Sequence, residues 1–115
     1  YVVEQICIRS KVMNYVSLIG TMENFPKMDE MNGGIRCSRF KLVTQTNMLD
    51  RQGKAKKIQQ KHDVFAWGKW QQIIRQVGEP NLKIAVEGRL VNRYIRWNGR
   101  PIKITEIEVN DLLVM

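Results

Sequence analysis

Lys83-Ile84-Ala85-Val86-Glu87-Gly88-Arg89-Leu90 opens the stretch that decides the fold, and it runs on through Val91, Asn92, Arg93, Tyr94, Ile95 and Arg96 to Trp97. Read with a period of two, Ile84, Val86, Gly88 and Leu90 share one face, and Glu87, Arg89, Val91, Arg93, Ile95 and Trp97 share the other. The first face is core; the second is cationic with apolar patches. A flat strand of this length leaves a sheet edge unpaired, whereas a residue without Cβ lets a strand coil where a small barrel turns a corner. Gly88 in mid-strand therefore predicts a small curled sheet with a basic surface.

C-terminal to this stretch, Asn98-Gly99 is a tight-hairpin signal. A last strand follows over Ile102 to Val109, and its apolar rhythm slips between Ile104 and Ile107, which predicts a bulge there. N-terminal to it, Trp70, Ile73, Ile74 and Val77 recur with helical spacing. Gly78 and Pro80 end that helix, and Trp70 belongs to its core-facing stripe. A third strand, Ile58 to Trp67, sets His62, Val64 and Ala66 on one face and Lys61, Asp63, Phe65 and Trp67 on the other. A second strand, Ile35 to Thr46, turns Phe40, Leu42 and Thr44 inward and Arg39, Lys41 and Val43 outward. A first strand, with Val16 and Leu18 alternating against Tyr15, Ser17 and Ile19, closes at Gly20. Asn24 to Gly34, rich in turn formers, reads as a loop with no recognisable chemistry. Residues 1–13 form either an N-terminal strand or an extension ahead of a natural start at Met13-Asn14, and residues 14–115 form one domain.

A chain of 115 residues with a formal net charge of +8 has room for one modest core and is drawn to polyanions. The charge is concentrated. Asn47 to Lys61 carries Arg51, Lys54, Lys56, Lys57 and Lys61 against the single acid Asp50, with Gly53 for the turn, and reads as a hairpin arm projecting cations. A charge run in isolation is more often a solvated loop, but a second basic strand beside it favours binding. No apolar run approaches the roughly 20 residues of a bilayer span, and no charged-then-apolar leader precedes the domain. Cys7 and Cys37 form no paired motif, so they are expected to be reduced packing residues of a cytoplasmic protein.

Three strands, a short helix and two more strands joined by a tight turn match the five-stranded Greek-key OB-fold barrel, an all-β class with one helix between strands three and four. The blocks Asn14-Tyr15-Val16-Ser17-Leu18-Ile19-Gly20, Phe40-Lys41-Leu42-Val43-Thr44, Trp67-Gly68-Lys69, Val86-Glu87-Gly88-Arg89-Leu90 and Glu106-Ile107-Glu108-Val109-Asn110, in that order, resemble the bacterial single-stranded-DNA-binding protein family. The resemblance implies sequence-independent single-strand binding in replication, repair and recombination, by a homotetramer in the nucleoid-bearing cytoplasm. It also implies several base-stacking aromatics, but Met48, Lys61 and Ile95 occupy three of those positions and only Trp67 keeps an aromatic there. Tyr94 and Trp97 flank the Ile95 position as substitutes, and His62 falls where the family carries a histidine near a subunit interface. Replication and repair proteins are the implied partners, although the acidic tail that recruits them is absent from the residues up to Met115.

Single-stranded nucleic acid offers phosphates and exposed base faces, so a sequence-tolerant binder needs a cationic groove and flat side chains. Arg39, Lys41, Arg89, Arg93 and Arg96 are the expected groove cations, joined by Arg51, Lys54, Lys56, Lys57 and Lys61 of the arm. Trp67, Trp97, Phe65 and Tyr94 are the expected platforms. Tyr94 has the parity of the core face, and Phe65 also reads as an interfacial contact. One histidine and scattered acids propose no metal site, no cofactor and no catalytic arrangement, so the expectation is a binding protein rather than an enzyme. Two alternatives remain at this level. One is a dimeric OB-fold module resembling primosomal replication proteins; the other is a single-stranded RNA binder, since stacking alone does not distinguish ribose from deoxyribose.

Overall fold

Alternating burial shapes most of the strands among residues 12–115, which a computed structural model describes. The expected strand or extension before residue 12, with Cys7, lies outside the described residues. The elements run β1 (Val16–Met22), β2 (Lys27–Met31), β3 (Ile35–Leu49), β4 (Ala55–Trp67), α1 (Lys69–Val77), β5 (Lys83–Trp97) and β6 (Arg100–Val114). The strands β1, β5, β6, β4 and β3 follow one another in hydrogen-bonded order, and β1 pairs back onto β3 through Thr21 opposite Val43 and Met22 opposite Leu42. That pairing closes a five-stranded barrel with α1 between its third and fourth strands. Met22, Phe40, Leu42, Val64, Ala66, Ile74, Ile84, Val86, Ile107 and Val109 fill it.

Gly88 makes the corner. A Cβ there would lie 1.9 Å from the Glu108 carbonyl oxygen, so the close approach of β5 to β6 excludes any other residue. The register slips at the same point: Glu87 faces Asp111 while Gly88 faces Val109, leaving Asn110 as the extra residue. The bulge expected between Ile104 and Ile107 is therefore at Asn110 instead, and pairing from Ile107 to Ile104 is continuous. The broken rhythm there marks a change of face, because Ile104 lies with Glu106 on the outer side of the ribbon rather than in the core.

Past the corner β5 and β6 leave the barrel as a two-stranded ribbon, and the parity expected for β5 changes meaning. Leu90 is exposed rather than core, while Val91, Arg93 and Ile95 become the better covered residues. Asn98 and Gly99 both have positive φ, 50° and 76°, between paired Trp97 and Arg100, which is the geometry of a type I′ turn.

The loop expected over Asn24 to Gly34 contains β2, which pairs with the N-terminal part of β3 from Lys27 opposite Arg39 to Met31 opposite Ile35. Its polar residues hid it: Lys27 to Glu30 are all exposed, so no apolar alternation marks the strand. Gly33 and Gly34, with φ of 86° and 75°, supply the reversal. In α1, Ile74 is buried and Trp70 and Ile73 are half-buried, but Val77 at the C-terminal end is exposed. Among the described residues no helix is long and apolar enough to cross a membrane.

Candidate nucleic-acid interface

Strand β6 buries Glu106, Ile107, Glu108 and Val109 in succession, so both of its faces are covered there. Ile107 and Val109 point into the barrel, and the same alternation turns the two carboxylates onto the outer face, between β4 and β5. A buried carboxylate must be hydrogen-bonded and paired, and each of these is. Glu106 takes Arg39 from β3 on one oxygen and Arg93 Nε from β5 on the other, at 2.5 Å. Glu108 takes Arg89 Nε at 2.5 Å and the Trp67 indole Nε1 at 2.8 Å.

These acids determine what the expected groove cations can do. Arg39, half-buried, also donates to Asp29 at 2.9 Å and lies over the Phe65 ring, 5.2 Å from its centroid. Lys41 pairs with Asp63 at 3.0 Å and Lys61 with Glu23 at 2.5 Å. Arg39, Lys41, Lys61, Arg89 and Arg93, read from the sequence as phosphate-binding cations, are all paired with carboxylates. Sequence reasoning missed Glu106 and Glu108 as members of the site. A signal existed: two acids at i and i+2 share a strand face and must meet whatever covers it.

The projecting hairpins differ. Leu49 opposite Ala55 closes the β3–β4 arm. Asp50 tightens its turn, accepting the backbone N–H groups of Gln52 and Lys54 at 2.9 and 2.8 Å. Arg51, Lys54, Lys56 and Lys57 are exposed there without an ion pair among the described residues. The β5–β6 ribbon carries Arg96, Arg100 and Lys103, all exposed and likewise unpaired among those residues. Among the described residues Arg96 reaches the Gly99 carbonyl, at 3.4 Å.

The aromatic candidates separate along this surface. Trp67 is 48% exposed with its indole N–H tied down. Phe65 is 4% exposed, beneath Arg39, so it is a floor rather than an open platform. Tyr94 is 70% exposed despite its core parity, because β5 has already left the barrel, and it borders the cleft lined by Arg39, Phe65, Arg93 and Glu106. Trp97 is exposed at the ribbon tip, continuing the row of Arg89, Val91 and Arg93. At about 3.4 Å per residue Trp97 stands roughly 27 Å beyond Arg89 along the strand, so these groups form a track and not one pocket. His62 is half-buried, 2.9 Å from the Thr44 hydroxyl, away from the two carboxylates.

Burial raises the pKa of Glu108, but the hydrogen bonds from Arg89 and Trp67 and the Arg89 charge outweigh it and hold the carboxyl below its ordinary value. The Glu30 backbone N–H and then Arg39 lower that of Asp29. Burial raises that of the Cys37 thiol, which is fully enclosed and keeps the proton at neutral pH. Among the described residues no cluster of three or more His, Cys, Asp or Glu side chains is placed to hold a metal ion.

Residues 13–115 match the model of the single-strand binding protein family. The chain is 32% identical over 107 residues to single-stranded DNA-binding protein 1 of Chlorobaculum tepidum; the match covers 90% of this chain and 65% of that protein's length. A Plasmodium falciparum SSB solved in complex with single-stranded DNA superposes with a TM-score of 0.80 at 26% identity, covering 92% of this chain and 97% of that one. A deletion mutant of the Thermus aquaticus single-stranded DNA-binding protein gives 0.77 at 25% identity, over 90% of this chain and 50% of that one.

Proposed function

The chain belongs to the single-strand binding protein family, and from that membership we propose that it binds single-stranded DNA without sequence preference. The protein holds strands exposed during replication, repair and recombination, on nucleoid DNA in the cytoplasm, and acts as a binding protein rather than an enzyme. One observation carries the reading: half-exposed Trp67, with its N–H fixed on Glu108, stands at one end of a face whose row of residues runs through Arg89 and Arg93 to Trp97. Bases stack on Trp67, Tyr94 and Trp97, while Arg51, Lys54, Lys56, Lys57 and Arg96 on the two hairpins take the phosphates. That division suits the chemistry, since stacking is sequence-tolerant and phosphate contacts carry no sequence information.

The working form is a homotetramer. Ile19 on β1 faces Ala85 on β5, which faces Leu113 on β6, and Ile19 and Leu113 are exposed, so an apolar row crosses the outside of the barrel. Titration with dT oligonucleotides of graded length, beside matched RNA, tests the binding proposal. Saturating binding should appear at a length within about 4–16 nucleotides per barrel and favour DNA. Equal or tighter binding of RNA overturns the choice of DNA, and no binding to either overturns the function.

A further inference from the structure

Glu108 is unexpected on a face proposed to meet a polyanion. A carboxylate repels them, and burying one is unfavourable unless both oxygens are satisfied. Here both are: Oε1 accepts from Arg89 Nε at 2.5 Å and Oε2 from Trp67 Nε1 at 2.8 Å. The strand that carries it is held on both sides, with Glu108 opposite Arg89 on β5 and opposite Phe65 on β4. Trp67, by contrast, ends its strand, next to Gly68 with φ 66°. Without a tether on its edge, a half-exposed indole there samples several rotamers, and stacking a base on it requires that freedom to be given up.

We propose that Glu108 is a positioning residue for single-strand binding: it fixes the edge of the Trp67 indole so that the ring face stands ready for a base, and in doing so keeps Arg89 from phosphate. The inference rests on the proposed single-strand binding function. It makes the stacking platform preorganised and the adjacent surface nearly neutral, leaving phosphate attraction to the hairpins. Trp70 offers no such case, because its N–H goes to a backbone carbonyl, that of Asn110, at 3.1 Å.

The test compares wild type with Glu108→Val, Glu108→Gln, Trp67→Phe, Trp67→Ala and the Glu108→Val/Trp67→Ala double variant, titrated with poly-dT at low and high salt while tryptophan emission is followed. Circular dichroism establishes folding. Glu108→Val should lose about tenfold in high-salt affinity, a part of the full stacking contribution, together with the quenching that belongs to Trp67. Glu108→Gln keeps an oxygen for the indole and should restore most of both. In either variant the freed Arg89 should steepen the salt slope by about 0.7. In the Trp67→Ala background Glu108→Val should cost no further high-salt affinity. Should Glu108→Val fail to fold, Trp67→Phe removes the N–H and leaves Glu108 in place, and it should lose a comparable share. The proposal is overturned if a folded Glu108→Val protein keeps wild-type quenching and high-salt affinity, if Trp67→Phe does, or if the loss persists in the Trp67→Ala background. Absent binding by wild type is a different result, which removes the function itself.

Discussion

Trp67 and Trp70 stand on either side of the Gly68 break, and the proposed function gives them opposite roles. Trp67 presents half its surface to solvent, so truncation to alanine should cost on the order of 1–3 kcal/mol of single-strand binding, with little dependence on the base offered and with folding intact. Trp70 packs against the core and is half-buried, so Trp70→Ala should instead cost stability, at or below the roughly 3 kcal/mol lower end for a buried tryptophan. Titration with poly-dT and urea melts of both variants separate the roles; a Trp67 variant that unfolds beside a folded Trp70 variant that binds poorly reverses them. Glu108 adds a pH dependence. Its folded-state pKa lies below the unfolded value, so its contribution to stability is fully present above the ordinary carboxylate range and disappears as pH falls through the folded value. Melting temperatures of Glu108→Gln should therefore decline less than those of wild type between about pH 5 and about pH 2. An identical acid limb in both proteins would mean that the Arg89 and Trp67 hydrogen bonds are not maintained in solution. At this scale the outward exposure of Trp67 was legible, because parity and the following glycine are local signals. The sequence misread Phe65 and Arg39, whose surroundings come from Glu106, Glu108 and Asp29 on other strands and appear only once register is known.

The hairpin arms illustrate how far local chemistry reaches. Asn98-Gly99 dictated its turn because few residue pairs accept two positive φ values, and the β3–β4 arm was legible from Gly53 and the surrounding alternation. β2 was not legible, since an exposed strand of Lys27, Met28, Asp29 and Glu30 owes its existence to pairing with β3 and not to burial. Nor was the displaced bulge, because Asn110 is extra only relative to Gly88 across the ribbon. Under the proposed function the arm carries more than a general basic surface would. With the barrel-face cations held by carboxylates, the proposed function assigns Arg51, Lys54, Lys56 and Lys57 a larger share of counterion release. Replacing Lys54, Lys56 and Lys57 with alanine should weaken binding to all sequences alike and reduce the salt slope by roughly 0.7 for each phosphate no longer neutralised. Replacing Lys41, already paired with Asp63, should change the slope by much less. Equal slopes for wild type and the triple variant would return the arm to the status of a solvated loop.

Among the described residues, an apolar row lies on the outside of a barrel whose buried core is Met22, Phe40, Leu42, Val64, Ala66, Ile74, Ile84, Val86, Ile107 and Val109. The outer row of Ile19, Ala85 and Leu113 makes no contribution to that core, yet Ile19 and Leu113 are 56% and 64% exposed. Cross-strand apolar neighbours in register form a flat strip, flanked by Ser17, Glu87 and Asp111 on one side and Thr21 and Lys83 on the other. Such a strip is self-complementary under a two-fold axis, which can set Lys83 of one copy near Glu87 or Asp111 of the next. A second pairing of dimers made this way would yield the proposed tetramer. Light scattering on pure protein should report a tetramer at micromolar concentration. Ile19→Glu, which places a carboxylate in the strip without disturbing the barrel interior, should lower that mass to a dimer or monomer. Its circular dichroism spectrum should match that of wild type. A wild-type monomer rejects the assembly outright, and a tetramer unaffected by Ile19→Glu moves the interface to another face.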